Sequence, residues 1–473
     1  MIKESIKKRN KLIFLILLIG ALLLGDSLRK KHYSQVPHPG DTLDEYSFGW
    51  LGMSLIQEGY PIAWSGIGAY KEEELKKINV DNIYDGDLSI APFPISKPWF
   101  DHPPLAGLVA GGYASLKGVS DFEDASVIII RRPFLYIGIV NILLTAILGL
   151  LISPTVSIIS AYLYATIPSI VISSRLVQAE NLLTTFFLIS TIAIIYYKKT
   201  KNKIYLYLSG ASVYLAILTK ISGISVAIAV IFLLLASRRK NQKPNDLLFI
   251  FGSSIFALLT FLLYGAYYDL QTFINVLLQN SKRFFGAGAN IITGLFNQAF
   301  RLSRRRLTDG WPLLGWVSFV AIATFDAFKN TKIRSTIIIP ALSYLVIFVL
   351  FGSESYGWYR IPLFPFIVLS MAYLLDKAYQ SRNLIYPLFF YFIPIGALQI
   401  LIIDITSFQK YASIFKVSGA LLILIGIINH IYRKNKFMKN IIPKLIIGIF
   451  IGLILVNIYT VGYLDVDAWY KVN

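Results

Sequence analysis

Apolar stretches recur from one end of the chain to the other, divided by short polar connections and interrupted once by a long polar passage. A helix needs roughly 20 apolar residues to cross a bilayer. By that measure the pattern predicts spans near 12–25, 128–151, 154–173, 180–197, 204–220, 221–237, 247–267, 311–328, 335–352, 361–376, 384–404, 413–432 and 442–462. That makes about thirteen transmembrane helices. The first run is short, and the basic residues Lys3, Lys7, Lys8, Arg9 and Lys11 ahead of it resemble the flank of a signal peptide. No small-x-small cleavage pattern precedes Asp26, so a retained first helix is the expectation.

The long polar passage, residues 26–127, holds 15 of the 26 acidic residues, all between Asp26 and Asp124. Phe48, Leu51 and Leu55 are spaced for one face of a helix over 45–58, predicted to lie amphipathically at the membrane interface. Gly59-Tyr60-Pro61 should end it. Pro103-Pro104 is expected to open a second such helix, Leu105 to Leu116, because proline is tolerated in a first turn. The pattern predicts one integral membrane domain over 1–473. In it, loop 26–127 precedes a catalytic helical scaffold at 128–376 and C-terminal transmembrane helices at 377–473.

Composition agrees. The chain is 56% hydrophobic and only 15% charged, with a mean hydropathy of +0.62. Soluble domains carry about 25% charged residues, so the class is an all-α, polytopic membrane protein. The net charge of +19 does not point to nucleic acid, because the cations sit in short clusters between apolar runs. Such clusters encode orientation in a membrane. KKTKNK (198–203), SRRKNQK (237–243), KNTKIR (329–334) and RKNKFMK (433–439) then face the cytoplasm. The N-terminus is expected there too, with loop 26–127 and the C-terminus outside and membrane lipids around the bundle. With no cysteine, neither disulfides nor thiolate chemistry are available.

Charged residues at or within spans are costly and usually functional. Those on the predicted outer side are Asp44-Glu45, Asp101-His102, Arg131-Arg132, Arg175, Glu180, Lys220, Glu354 and Arg360. Structural roles compete: Arg131, Arg132 and Arg360 as snorkelling anchors, Lys220 as a helix C-cap, Asp44-Glu45 as a helix N-terminus. Anchors alone would be scattered over both sides, whereas these share one. The loop 269–310 adds Lys282-Arg283 and Arg304, Arg305 and Arg306, suited to phosphate or to anionic head groups. Asp85-Gly86-Asp87 is a D-x-D triplet that marks metal–nucleotide sites or an ordinary turn. The sequence has no HExxH, GxSxG or P-loop. It also shows neither an internal repeat nor a matched pair of broken helices, which argues against a transporter.

Five segments in order resemble the GT-C membrane glycosyltransferases that use polyprenyl-phosphate sugars, in particular the protein O-mannosyltransferases and lipid A aminoarabinose transferases. Asp44-Glu45 matches the acidic pair of that family's first outer loop. His102-Pro103-Pro104-Leu105 matches its HPPL or KPPL segment, and Arg132-Pro133 is similar to its R-x-P, shifted by one. Arg175 to Phe187 resembles R-x4-D-x-L-L-x-F-F, with Glu180 where aspartate is usual. Leu218-Thr219-Lys220 resembles L-T-K-G-P, with Ile221-Ser222-Gly223 following instead. Tyr359 to Pro365 resembles Y-x-L-P-L-F-P. The likeness covers roughly residues 1–375.

The resemblance implies a GT-C fold and an inverting, single-displacement transfer of a sugar from a polyprenyl-phosphate donor to a glycan, lipid or protein hydroxyl. Asp44 suits the general base, with Glu45 beside it. Arg131, Arg132, Lys220 and Arg360 are the candidates for the donor phosphate. Asp101, His102, Arg175, Glu180, Tyr356 and Tyr359 are the candidates for substrate contacts. No cofactor is required on this reading; a divalent cation at Asp85 and Asp87 is the alternative. The competing functions are a lipid-linked oligosaccharide polymerase or ligase, and a polyprenyl-lipid or polysaccharide transporter.

Overall fold

The structure, a computed structural model, describes residues 2–42, 44–70, 75–78, 93–121, 124–236, 244–282, 295–296, 299–302, 305–350, 356–402, 405–432 and 435–471. Asp85 and Asp87, Glu354, Arg283 and Arg304 lie outside them.

Helices dominate. In chain order they are α1 (Ile2–Lys30), α2 (Asp44–Gln57), α3 (Leu105–Leu116), α4 (Val127–Ile130), α5 (Arg132–Leu150), α6 (Pro154–Thr166), α7 (Pro168–Ser173), α8 (Ala179–Thr200), α9 (Lys203–Thr219), α10 (Ile224–Leu235) and α11 (Asn245–Ser281). There follow α12 (Trp311–Phe325), α13 (Thr331–Leu350), α14 (Gly357–Ser381), α15 (Ile385–Ile402), α16 (Ile405–Ile431), α17 (Lys436–Tyr463) and α18 (Val466–Lys471). Among the described residues, eight helices are long and apolar enough to cross a membrane, and five shorter apolar helices accompany them. The fold is therefore the expected multi-pass helical bundle, but length alone supports eight spans and not thirteen. Predicted spans fall short where the backbone breaks. Pro168 cannot donate a helical hydrogen bond, so 154–173 divides at Ile167 (ψ 122°) into α6 and α7. The predicted span 128–151 holds as one crossing, Val127–Leu150, because Arg131 between α4 and α5 keeps helical backbone angles (φ −75°, ψ −24°).

One end of the bundle is set by helix N-caps. The Ser153, Asn202, Asn330 and Asn435 side chains accept from backbone N–H groups of the first turns of α6, α9, α13 and α17, filling donors that have no intrahelical partner. The opposite end carries the long loop. Helix α11 runs to Ser281 but breaks two residues past 267, the predicted end of its span. At Asp269 the backbone is extended (φ −165°), and the aspartate accepts from Gln271 N–H, Thr272 N–H and Thr272 Oγ1–H. One helix stops there and another begins.

The loop is not a pair of interfacial helices. Glu45 through Ser54 of α2 are buried on every side, because the helix is wrapped by α3, by the segment before α8 and by a small sheet. In that sheet β1 (Ala63–Trp64) and β2 (Leu75–Ile78) flank β3 (Phe93–Ser96), all antiparallel. A second ribbon pairs β4 (Ala299–Arg301) with β5 (Arg306–Thr308). Helices α2 and α3 touch backbone to backbone. A Cβ at Gly52 would stand 1.9 Å from the Gly107 carbonyl oxygen, and one at Gly111 would stand 2.2 Å from Met53 N. Neither obstacle is a flexible side chain. Gly52→Ala and Gly111→Ala should each force the helices apart at a cost of at least ~1–3 kcal/mol, the usual range for overpacking. Melting of the detergent-solubilised variants checks this, and melting indistinguishable from wild type would contradict so close a contact.

Candidate active site at the loop end of the bundle

The irregular segment between α7 and α8, residues 174–178, ties the loop to the bundle. Asn181 braces it, its Nδ2 donating to Ser173 O (2.9 Å) and Leu176 O (3.0 Å). Val177 N–H donates to Glu45 Oε1 at 2.9 Å, and Gln178 Nε2 donates to Thr42 Oγ1 at 3.0 Å. Arg175, fully buried, donates from Nη1 to Val36 O and from Nη2 to Leu28 O, both at 2.8 Å. Leu28, Val36, Thr42 and Glu45, along the entry to the loop, are thus held by one short stretch.

Glu45 also receives a two-pronged contact from Arg131, Nε to Oε1 at 2.8 Å and Nη2 to Oε2 at 2.6 Å, with both side chains wholly enclosed. Arg131 Nη1 donates to Tyr33 O and Pro37 O. Glu45 and Arg131 are therefore fully engaged with protein, as anchors of the loop. Arg131 was a candidate for the donor phosphate, but its nitrogens already have acceptors. Arg175 was a candidate for substrate, but it reaches backbone carbonyls instead. A third buried arginine, Arg29, donates to Gly25 O, Ala165 O and Tyr164 O in the same manner.

Asp44, next to Glu45, is only partly buried and opens the first turn of α2. Arg132 is exposed and donates to Tyr33 Oη at 3.2 Å. Asp101 accepts from Ser65 Oγ and Tyr70 Oη, both at 2.7 Å, and Tyr70 Oη in turn accepts from Phe100 N–H. Burial and the adjacent Asp101 carboxylate push the Tyr70 hydroxyl well above its ordinary pKa, so it stays a donor. His102 stacks on Phe48 (ring centroids 5.6 Å) and meets the edge of Trp99 (6.0 Å).

Beyond the brace, Glu180 in the first turn of α8 pairs with Lys220 Nζ at 2.5 Å. Lys220 ends α9 in an extended conformation and lies 4.6 Å from the centre of the Tyr359 ring. The second Glu180 oxygen, Oε2, is buried without a hydrogen-bond partner. Tyr344 Oη donates to Tyr359 O. Tyr356 is partly exposed, stacks on Trp358 at 4.3 Å and carries the Arg301 guanidinium at 5.5 Å from its ring. Arg360 is buried in electrostatic reach of Asp309. Asp309 accepts from Ser169 N–H at 2.7 Å and Trp311 N–H at 3.1 Å.

The contacts from Glu45 through Val177 and Glu180 to Lys220 and Tyr359 bring the loop acids and these groups to one end of the bundle. Asp101 and His102 join through the packing of His102 on α2. Asp309 did not stand out in the sequence, and Arg305 stood out only as one of a basic cluster suited to phosphate or lipid head groups. An acid before glycine reads as a turn, and one arginine in a basic run has no special mark.

A polar loop of short helices packed over one end of a multi-pass helical bundle is the architecture of the GT-C glycosyltransferases. Residues 101–264 match the sequence family of dolichyl-phosphate-mannose-protein mannosyltransferases. That stretch includes Asp101, His102, Arg131, Arg132, Arg175, Glu180 and Lys220. The fold is shared with ArnT from Cupriavidus metallidurans, solved bound to undecaprenyl phosphate, at TM-score 0.53 and 12% identity over 95% of this chain and 77% of that one. Arabinosyltransferase EmbB from Mycobacterium smegmatis aligns at TM-score 0.51 and 10% identity, over 95% and 40% of the two chains. The oligosaccharyltransferase of Archaeoglobus fulgidus in its apo form aligns at 0.50 and 11%, over 95% and 56%. At these identities the likeness is one of fold. No curated protein matches the sequence.

Two measurements probe this end. Arg131→Met leaves the Glu45 carboxylate enclosed without its cation, which should destabilise the fold by ~3–5 kcal/mol, while Glu45→Gln with Arg131→Met should recover part of that loss. Thermal melting of the single and double variants decides it, and equal melting temperatures would mean the pair is not coupled. Asp309 is a pH-sensitive group at this end. Burial raises its pKa to about 6, against the pull of two N–H donors and Arg360. A carboxyl whose folded pKa lies above its unfolded value of about 3.9 contributes stability that is full below that value and is lost as pH rises through the folded one. Asp309→Asn should therefore gain on wild type in melting temperature between pH 4 and 7, and a constant gap across that range would contradict this.

Proposed function

We propose that this protein transfers a glycosyl group from a polyprenyl-phosphate donor to an acceptor hydroxyl at the extracytoplasmic face of the membrane. One observation carries the reading. Asp44, partly accessible, opens a helix whose next residue is clamped to the same short segment that leads into the Glu180–Lys220–Tyr359 group. The basic connections at the opposite end, including Lys198, Lys199, Lys201, Lys332 and Arg334, support placing that end in the cytoplasm. The N-terminus then begins there and the loop faces outward. The undecaprenyl phosphate bound to ArnT, which shares the fold, supports the same class of lipid for the donor.

In this mechanism the Asp44 carboxylate takes the proton of the acceptor hydroxyl. The acceptor oxygen bonds to the anomeric carbon as the bond from that carbon to the phosphate oxygen breaks. The electron pair leaves with the polyprenyl phosphate. Lys220, with Arg132 and Arg360, meets the charge that grows on the phosphate, in a site whose low polarity strengthens such contacts. Glu180 orients the Lys220 ammonium, and its second oxygen is available to a substrate hydroxyl. Tyr356 and Tyr359 offer aromatic faces to a sugar ring. Helices on either side give the polyprenyl tail an apolar surface.

Asp44→Asn keeps size and hydrogen bonding but cannot accept a proton. Turnover should fall by roughly 10²–10⁴-fold, the range for a positioned base, while donor binding survives. Kinetics with a defined polyprenyl-phosphate sugar and acceptor test this, and normal turnover would move the base elsewhere, to Asp101 or Glu180. In the same assay EDTA should leave the rate intact. Loss of activity restored by Mn²⁺ would instead assign the phosphate charge to a metal at Asp85 and Asp87.

A further inference from the structure

The last described helix, α18, reaches back across the bundle to the beginning of the loop. Trp469 is completely buried, and its Nε1–H donates to Asp41 Oδ2 at 2.6 Å. Arg305, from the β4–β5 ribbon, donates from Nη1 to Trp469 O at 2.7 Å and places Nε 3.6 Å from Asp41 Oδ1. Asp41 Oδ2 also accepts from His38 N–H at 2.9 Å, closing the turn that precedes α2. Asp465 N-caps α18 by accepting from Ala468 N–H. Three parts of the chain, near 38–41, 305 and 469, therefore converge on one buried carboxylate. A carboxylate that gives up water is retained only where its acceptor sites are filled, and here the fillers come from 264 and 428 residues away in sequence.

We infer that Trp469 and Arg305 are positioning residues for catalysis, acting through Asp41 to fix the stretch that carries Asp44. Thr42, one residue beyond Asp41, is held from the other side by Gln178. Asp44 thus begins its helix directly after a strand of chain pinned on two flanks. The indole N–H supplies direction and the guanidinium supplies charge, and neither touches substrate. The C-terminal helix is in this way part of the catalytic apparatus, although no chemistry occurs on it. This inference rests on the reading of Asp44 as the base, and its test separates the two.

The experiment uses the full chain in lipid nanodiscs. Trp469→Phe removes the N–H donor and keeps an aromatic ring. Hydrogen–deuterium exchange over residues 31–57 should rise about tenfold, the effect of losing one hydrogen bond to a charged group, with residues 203–235 unchanged. The kcat should fall by about the same factor, with KM for the polyprenyl-phosphate donor unaltered. Asp41→Asn, which still accepts from Trp469 but loses its charge toward Arg305, should show a smaller change in both. Exchange at 31–57 equal to wild type would overturn the inference, as would a rise spread evenly over the whole chain. So would loosened exchange with unchanged kcat. Normal turnover by Asp44→Asn would remove the Asp44 reading and leave the docking of α18 standing on the exchange result alone.

Discussion

The carboxylate of Glu45 is the contact on which the site end of this protein depends. It receives two nitrogens of Arg131 and the N–H of Val177, so one buried anion joins the loop to the start of α5 and to the segment before α8. In so dry a place, removing one partner strands a charge, and the penalty for that exceeds the net value of the pair itself. The interaction is therefore better seen as a specificity device than as a source of stability. It allows only one seat for the N-terminus of α2, and with it only one place for Asp44.

The arginines around it share a second job. Arg29 and Arg175 have no carboxylate among their hydrogen-bond partners and instead gather carbonyls near the ends of α1 and α6, at Gly25, Leu28, Tyr164 and Ala165. The last carbonyls of a helix lack intrahelical donors and carry the negative end of its dipole. A guanidinium with five donors satisfies several of them at once. Both helices finish at the end of the bundle where the loop lies. Arg175, bonding Leu28 O and Val36 O together, ties the end of α1 to the chain that enters the loop.

Much of the fold was legible from hydropathy alone. The bounds of α3 and the start of α2 follow from Pro104 and from the Asp44-Glu45 pair, and Glu180 and Lys220, two of the charges read as lying on one side, pair in the structure. Periodicity misjudged α2. Glycines and serines among its apolar residues mimic an exposed face, whereas Gly52 in fact admits another backbone and Ser47 and Ser54 bond to loop carbonyls. Local sequence also gave no means of assigning partners. Arg131 next to Arg132 looks like a duplicated phosphate ligand, yet one turns inward to Glu45 and the other stays in the open. Asp41 and Trp469 are linked only through tertiary structure, since nothing near either residue names the other.

The glycine contact between α2 and α3 has a mechanical consequence. Where side chains interdigitate, two helices can slide by exchanging rotamers; where backbone meets backbone, no such small step exists. Gly52, Gly107 and Gly111 therefore weld the two helices into a stiff plate with Asp44 at one edge and His102, just before α3, at another. Any rearrangement at this end of the bundle has to move α2 and α3 together, and to break the contacts of Glu45 with Arg131 and Val177 as it does so.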